Sequence, residues 1–245
     1  MSMQQTPWAL ITGASGQIGQ AVSLSLAQIG IPLVLHYHQA GHKLEPILQF
    51  CHERGVPALA LQADLRDVQQ IAAMYQQMPV EPLLVVNNAS ADHVGLFSDV
   101  TPVLFDELVS LNVRSAFFVT QAALPAMLRE RYGRIVNISS IWGLTGGSCE
   151  VLYSLTKGAV NTFTKALAKE LAPNGITVNA VAPGAIEGGM MQRFSPDEIG
   201  MIAEEIPANR LGTPEEVAAV VRFLLSPESS YLTGQIISPN GGWYT

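Results

Sequence analysis

Tyr153 and Lys157 stand four residues apart, so on a helix a phenol and an ammonium share one face. A free phenol titrates near pH ~10, too high for efficient proton transfer at neutrality, and a neighbouring ammonium lowers that value by favouring the phenolate. The pair is therefore a candidate proton donor. Its bland alternative is a solvated helix face, because six tyrosines and four lysines give about 0.1 chance matches to Y-x-x-x-K in a chain of this length. Ser140, thirteen residues upstream and just beyond the apolar run RIVNIS, supplies a hydroxyl that can bond a reacting oxygen. Near the other end, Thr12-Gly13-Ala14-Ser15-Gly16-Gln17-Ile18-Gly19 is a turn whose residues are mostly small or absent in side chain. Backbone amides and a helix N-terminus can approach a pyrophosphate closely only under that condition. A tight strand-to-helix turn without a ligand remains the alternative for this motif.

Elements that alternate strand and helix must hold these groups. The strands read as Trp8–Thr12, Ile31–His38, Val56–Leu61, Pro82–Asn87, Arg134–Ser139, Ile176–Val181 and Gln235–Ser238. Between the first two, Gly16 to Ile29 places Ile18, Val22, Leu26 and Ile29 at helical spacing. Thr101-Pro102, Ser195-Pro196 and Thr213-Pro214 are helix starts, the last two with a glutamate three residues after the capping hydroxyl. The strands are continuously apolar, the pattern of a sheet covered on both faces. The expected fold is therefore α/β: a Rossmann-type, doubly wound parallel sheet of about seven strands, within a single domain over residues 1–245. Ligands then bind at the carboxyl edge of the strands.

Composition supports this and closes other routes. The chain has 245 residues, 48% hydrophobic and 13% charged, with a net charge of −7. That balance excludes the basic stripe of a nucleic-acid or anionic-membrane footprint. No apolar run is long enough to span a bilayer, and the segment MSMQQTPWALITG has no charged n-region followed by a cleavage site. Cys51 and Cys149 make no disulfide framework and fit a reducing compartment, so a cytoplasmic location is expected. His36, His38 and His42 lack a carboxylate or cysteine at ligand spacing, so no metal site is expected.

From Trp8 to Trp243 the chain resembles the short-chain dehydrogenase/reductase family. The resemblance makes Asn112, Ser140, Tyr153 and Lys157 the family's catalytic tetrad. Ser140 would orient a carbonyl, Tyr153 would donate the proton after hydride transfer, Lys157 would acidify Tyr153, and Asn112 would hold a water relaying protons toward Lys157. It also implies a nicotinamide dinucleotide on Gly13, Ser15, Gly16, Gln17 and Ile18, and on the strand-end segments Asp64-Leu65, Asn88-Ala89-Ser90 and Pro183-Gly184-Ala185-Ile186. Three positions depart from the family pattern, one of them Ser90, which replaces the glycine of N-N-A-G. Gln17 stands at the second glycine of T-G-x-x-x-G-x-G, and Gly188 stands where a threonine often contacts the carboxamide.

Tyr37 takes the place of the aspartate of NAD-selective relatives, and His38 and Gln39 can donate to a phosphate, so NADPH is expected over NADH. The blocks GRIVNISSIWG, ELAPNGITVNAVAPG, RLGTPEEVA and YLTGQIISPNGGW are most similar to 3-oxoacyl-acyl-carrier-protein reductases. Arg131 matches one of the two basic docking residues for the acidic carrier, and Asn174 replaces the other. SSIWG, SCEVLYS and PNGGW also resemble a bacillar subgroup associated with a 5-aminopentanone group on a lysine of elongation factor P; Glu150, three residues before Tyr153, would suit that ammonium. A non-catalytic NADP(H)-sensing protein is the alternative of another class, although such proteins typically lose the tyrosine or lysine kept here. Gly188-Gly189-Met190-Met191-Gln192 reads as a mobile lid or an ordinary loop. By resemblance the molecule is a homotetramer built on the Asn112 and Tyr153 helices and the C-terminal segment, with Leu104, Leu108, Leu111, Phe118 and Leu124 as candidate apolar surface.

Overall fold

The computed structural model describes residues 6–245; the first five residues of the N-terminal segment discussed above lie outside it. In chain order the elements are β1 (Ala9–Ile11), α1 (Gln17–Gln28), β2 (Leu33–Tyr37), α2 (Glu45–Glu53), β3 (Ala58–Gln62), α3 (Val68–Gln76) and β4 (Leu84–Asn87). They continue with α4 (Pro102–Val109), α5 (Ser115–Glu130), β5 (Gly133–Ile138), the single turn α6 (Trp142–Thr145), α7 (Val151–Leu171) and β6 (Ile176–Val181). The last are α8 (Pro196–Glu205), α9 (Pro214–Leu225) and β7 (Ile236–Ile237). All seven strands are parallel, in the order β3-β2-β1-β4-β5-β6-β7. The strand order reverses between β1 and β4, where the loops that follow both strands part and open a crevice.

Alternate side chains of each strand enter two separate cores, as the pleat requires. Ile11, Leu35, Val86 and Val136 pack under α1 and α9, while Leu10, Val34, Val85 and Ile135 pack under α3, α5 and α7. Both faces of the sheet are buried under helices, which is why these strands read as unbroken apolar runs. Five strands are one to three residues shorter than their apolar runs, because residues such as Trp8, Ile31, Pro82 and Ser238 belong to the entering or leaving loops; β6 matches its run and β5 lies one residue earlier than expected. Val56 also precedes its strand, and β3 extends to Gln62 instead.

Helix starts follow the capping chemistry. Ser195 and Thr213 each close a capping box with Glu198 and Glu216, and Thr101 caps α4. The long helix expected around Asn112 is interrupted: residues Ser110–Arg114 form a π-turn between α4 and α5. The expected apolar face is also different. Leu108 is buried, Leu104 packs against the Tyr153 cluster, Phe118 and Leu124 pack against the core, and Leu111 faces the cleft. Helical periodicity instead exposes Val103 and Phe105 on α4, Phe117 on α5, and Val151 and Leu155 on α7.

Candidate active site

A single cleft of about 1140 Å³ runs along the carboxyl edge of the sheet. It is larger than the span usual for one drug-sized ligand, leaving room for a dinucleotide with a second molecule beside it. Its floor begins at the β1 turn. Gly13 has φ +62°, and a Cβ there would lie 2.8 Å from the Ala89 Cα. A Cβ on Gly19 would lie 2.5 Å from the Gly13 carbonyl oxygen. The turn therefore folds tightly only without side chains, and it leaves the α1 N-terminus open to the cleft without a side-chain cap. These residues fit the pyrophosphate of a dinucleotide.

Long-range bonds hold that turn. The Thr12 hydroxyl accepts from the Asn88 and Ala89 amides at 2.9 and 3.1 Å, and Asn88 Nδ2 donates to the Thr12 and Gly13 carbonyls at 3.0 Å each. His36 is committed to the same task. Its Nδ1 accepts from the Gly13 amide at 3.0 Å, leaving Nε2–H to donate to the Ala63 carbonyl at 3.0 Å. Burial lowers its pKa and keeps the ring neutral. Both ring nitrogens are thereby engaged within the protein.

At the adenosine end expected from the resemblance, His38, Gln39, Ala40, Asp64, Leu65 and Arg66 line the cleft. Tyr37 does not reach it. Its ring packs beneath Gly41, where a Cβ would approach within 2.6 Å, and against the core, because the alternation of β2 turns it away from the crevice. Asp64 is clasped by Arg66, with Nε 2.9 Å from Oδ1 and Nη2 2.7 Å from Oδ2. The Arg66 guanidinium holds the Asp64 carboxyl down at about 2, and His38 Nε2 stands 3.9 Å away. Arg66 was not apparent from the sequence; it becomes a site residue only through that clasp.

The opposite end gathers Ser140, Tyr153, Lys157, Pro183, Gly184 and Ile186 into the same cleft. Ser140 follows β5, and Tyr153 and Lys157 lie one turn apart on α7, both buried, so the pair is not a solvated face. Lys157 Nζ donates to the Ile138 carbonyl at the end of β5 at 2.9 Å, and it stands 5.4 Å from the Tyr153 ring centre. Burial pulls the Lys157 ammonium down to about 7. Burial also raises the Tyr153 phenol, against a hydrogen bond with Ser140 that lowers it. Desolvation thus disfavours the charged form of both groups.

Asn112 stands behind this group rather than in the cleft. Its Oδ1 accepts from the Ala91 amide at 2.9 Å and from Ser90 Oγ at 3.2 Å. Its Nδ2 donates to the Ala91 carbonyl at 2.8 Å and to Thr156 Oγ1 at 3.1 Å. Every hydrogen-bonding position of the side-chain amide is filled within the protein. The π-turn points this amide between the β4 loop and α7, tying Ser90 and Ala91 to the residue preceding Lys157.

The mouth is framed by Trp142, Glu150, Met190, Met191, Phe194, Ile202 and Trp243, with the two tryptophans edge to face at 5.5 Å. A short turn, Gly189–Arg193, crosses it, and Arg193 forms an ion pair with Asp92 from the β4 loop. Burial raises the Glu150 carboxyl while the Arg193 charge opposes that shift. Asp92, Arg193 and Trp243 were not singled out by the sequence reading. Their roles arise from contacts between segments about a hundred residues apart. Among the described residues, no helix is long and apolar enough to cross a membrane, and no cluster of three or more metal-ligating side chains occurs.

Comparison with known proteins extends this geometry. A family model described as "Enoyl-(Acyl carrier protein) reductase" matches residues 13–244. The chain is 49% identical over 238 residues to "Uncharacterized oxidoreductase YmfI" of Bacillus subtilis, covering 96% of this chain and 98% of that protein. It is 36% identical over 245 residues to the 3-oxoacyl-[acyl-carrier-protein] reductase FabG of Staphylococcus aureus, covering 99% and 100%. The crystal structure of a 3-oxoacyl-[acyl-carrier protein] reductase from Brucella melitensis superposes with a TM-score of 0.92 at 31% identity, covering 98% of this chain and 91% of that one. The modified elongation factor implied by the resemblance gains no support from these relatives. Matched over nearly its whole length by the family model and by relatives well above 30% identity, the chain belongs to the short-chain dehydrogenase/reductase family of oxidoreductases.

Proposed function

We propose that the protein is an NADPH-dependent carbonyl reductase that converts a 3-oxoacyl thioester, carried by acyl carrier protein, to the 3-hydroxy product. One observation carries the reading: the buried Ser140–Tyr153–Lys157 group shares a cleft with both a phosphate-binding turn and an apolar wall of Met190, Met191, Phe194 and Ile202. Such a wall suits an acyl chain. NADPH, when bound, supplies the hydride. The Ser140 hydroxyl bonds the carbonyl oxygen and fixes its approach, where negative charge develops. Tyr153 delivers the proton to that oxygen. Lys157, held on the Ile138 carbonyl, sets the phenol's electrostatics and is the nearby group that would return a proton to the phenolate. Asn112 is a positioning residue that locks the β4 loop to α7.

His38, Gln39 and Arg66 are the donors available to the 2′-phosphate that distinguishes NADPH from NADH. Carrier docking has Arg131, whose guanidinium rests on the Pro173 carbonyl at 3.1 Å, and Asn174 beside it. The apolar side chains exposed on α4, α5 and α7 support a homotetramer.

The test is NADPH oxidation by the purified protein with a short 3-oxoacyl group on acyl carrier protein and on a minimal thioester. Turnover of both, faster on the carrier, is the expected result. NADPH binding without turnover of either thioester, or of other ketones, overturns the reading in favour of a sensor.

A further inference from the structure

Two departures from the family pattern, far apart in sequence, touch in the structure. Gln17 opens α1 at the end of the phosphate-binding turn, and Gly188 opens the turn that crosses the mouth. A Cβ on residue 188 would lie 2.1 Å from both Gln17 Oε1 and Nε2 and 2.4 Å from its Cδ. A Cβ on residue 189 would lie 3.3 Å from the same Oε1. The Gln17 carboxamide therefore occupies the space that a side chain at position 188 would need. Gly188 also has φ +73° and ψ −155°, backbone that is essentially reserved for glycine.

Both partners line the cleft, one on the α1 side and one on the lid side. Gln17 is the first residue of α1, so the contact stands beside the helix N-terminus where the pyrophosphate of a dinucleotide would lie. Resting on the proposed cofactor reading, we infer that Gln17 and Gly188 form a strap over the cofactor groove, with the Gln17 carboxamide closing the pyrophosphate site against the lid and slowing dinucleotide release. Gln17 acts here as a positioning residue, and its side-chain amide would supply a donor to a phosphate bound at the turn. The missing side chain at position 188 is then the complement of the added side chain at position 17.

The full-length protein tests this through dinucleotide release, followed by NADPH fluorescence in stopped flow, for Gln17→Gly, Gly188→Ala and the double variant. Gln17→Gly should release NADPH several-fold faster with little change in association. Gly188→Ala should weaken binding by about tenfold, mainly through backbone strain at φ +73° and in smaller part by pushing the Gln17 carboxamide aside. Gln17→Gly should then restore part of that loss, since side chains in contact couple and separated ones add. Additive effects in the cycle, or unchanged release in Gln17→Gly, overturn the strap alone. If the unaltered protein binds neither NADPH nor NADH, the cofactor reading falls and the strap with it.

Discussion

The cleft joins two regions built in opposite ways. At the inner end, Asn112, Ser140, Tyr153 and Lys157 are each less than a tenth exposed. They are tied by hydrogen bonds to strand ends, to the β4 loop and to one another. At the mouth, Met190 is 37% exposed, and a partly exposed ion pair and a side chain laid on a glycine connect the 188–193 segment to the body. Burial decides the energetics of each. In the inner group, desolvation moves protonation equilibria by amounts that matter to chemistry. At the mouth, water screens charge and the same residue types act weakly. The fold thus packs Ser140, Tyr153 and Lys157 closely and holds the mouth by fewer buried contacts.

The strongest expected contrast comes from Tyr153→Phe. Only the phenolic oxygen is lost, so the cluster of Leu108, Leu152 and Tyr153 keeps its packing and stability changes by no more than about 1 kcal/mol. NADPH should still bind. Turnover on the thioester should fall by roughly 10²–10⁴-fold, the contribution of a positioned general acid. Residual turnover within a few-fold of the parent would move the proton donor elsewhere.

Lys157 offers a stability signature for the same region. Its ordinary value of 10.5 falls to about 7 in the folded, cofactor-free protein. Between those pH values the unfolded chain binds the proton and the folded chain does not, so raising the pH favours folding. The slope is at most ~1.4 kcal/mol per pH unit, and it vanishes below about pH 7 once the folded state is protonated too. Lys157→Met should remove this component. Melting temperatures of parent and variant, measured between pH 7 and 10, should diverge in slope with the parent gaining stability relative to the variant. Parallel slopes would mean that Lys157 stays charged throughout.

Much of the inner region was visible in the sequence because its cues are local. Continuous apolar runs separated by capped helices specify a parallel sheet, and the four-residue spacing of Tyr153 and Lys157 specifies a shared helical face. The glycine spacing after β1 likewise identifies a turn that no side chain can enter. What escaped depends on register and on distant pairing. A π-turn shifts the direction of Asn112, and nothing in SLNVR announces it. One step in the β2 alternation takes Tyr37 out of the cleft and leaves His38 in it. Arg66 and Arg193 look like ordinary surface cations until Asp64 and Asp92 are brought beside them. The Gln17–Gly188 contact was present only as two separate departures from a family pattern.

The smallest effect expected belongs to the mouth, and it bears most directly on the division between the regions. Arg193 and Asp92 retain side-chain exposures of 34% and 24%, so their attraction is screened. Such pairs contribute up to about 1 kcal/mol. Arg193→Ala should therefore leave kcat near the parent value and raise the KM for the thioester by no more than about fivefold, the ratio corresponding to that energy. Removing the guanidinium also removes the charge that opposes the burial of Glu150, so the Glu150 carboxyl should titrate higher and the acid limb of the KM profile should move upward in pH. High ionic strength should reproduce part of the KM change in the parent, because the screening length falls from about 10 Å at 0.1 M salt to about 3 Å at 1 M. A collapse of kcat in Arg193→Ala comparable to that of Tyr153→Phe would join lid and catalytic group into one cooperative unit, and the separation of a rigid chemical end from an adaptable mouth would no longer hold.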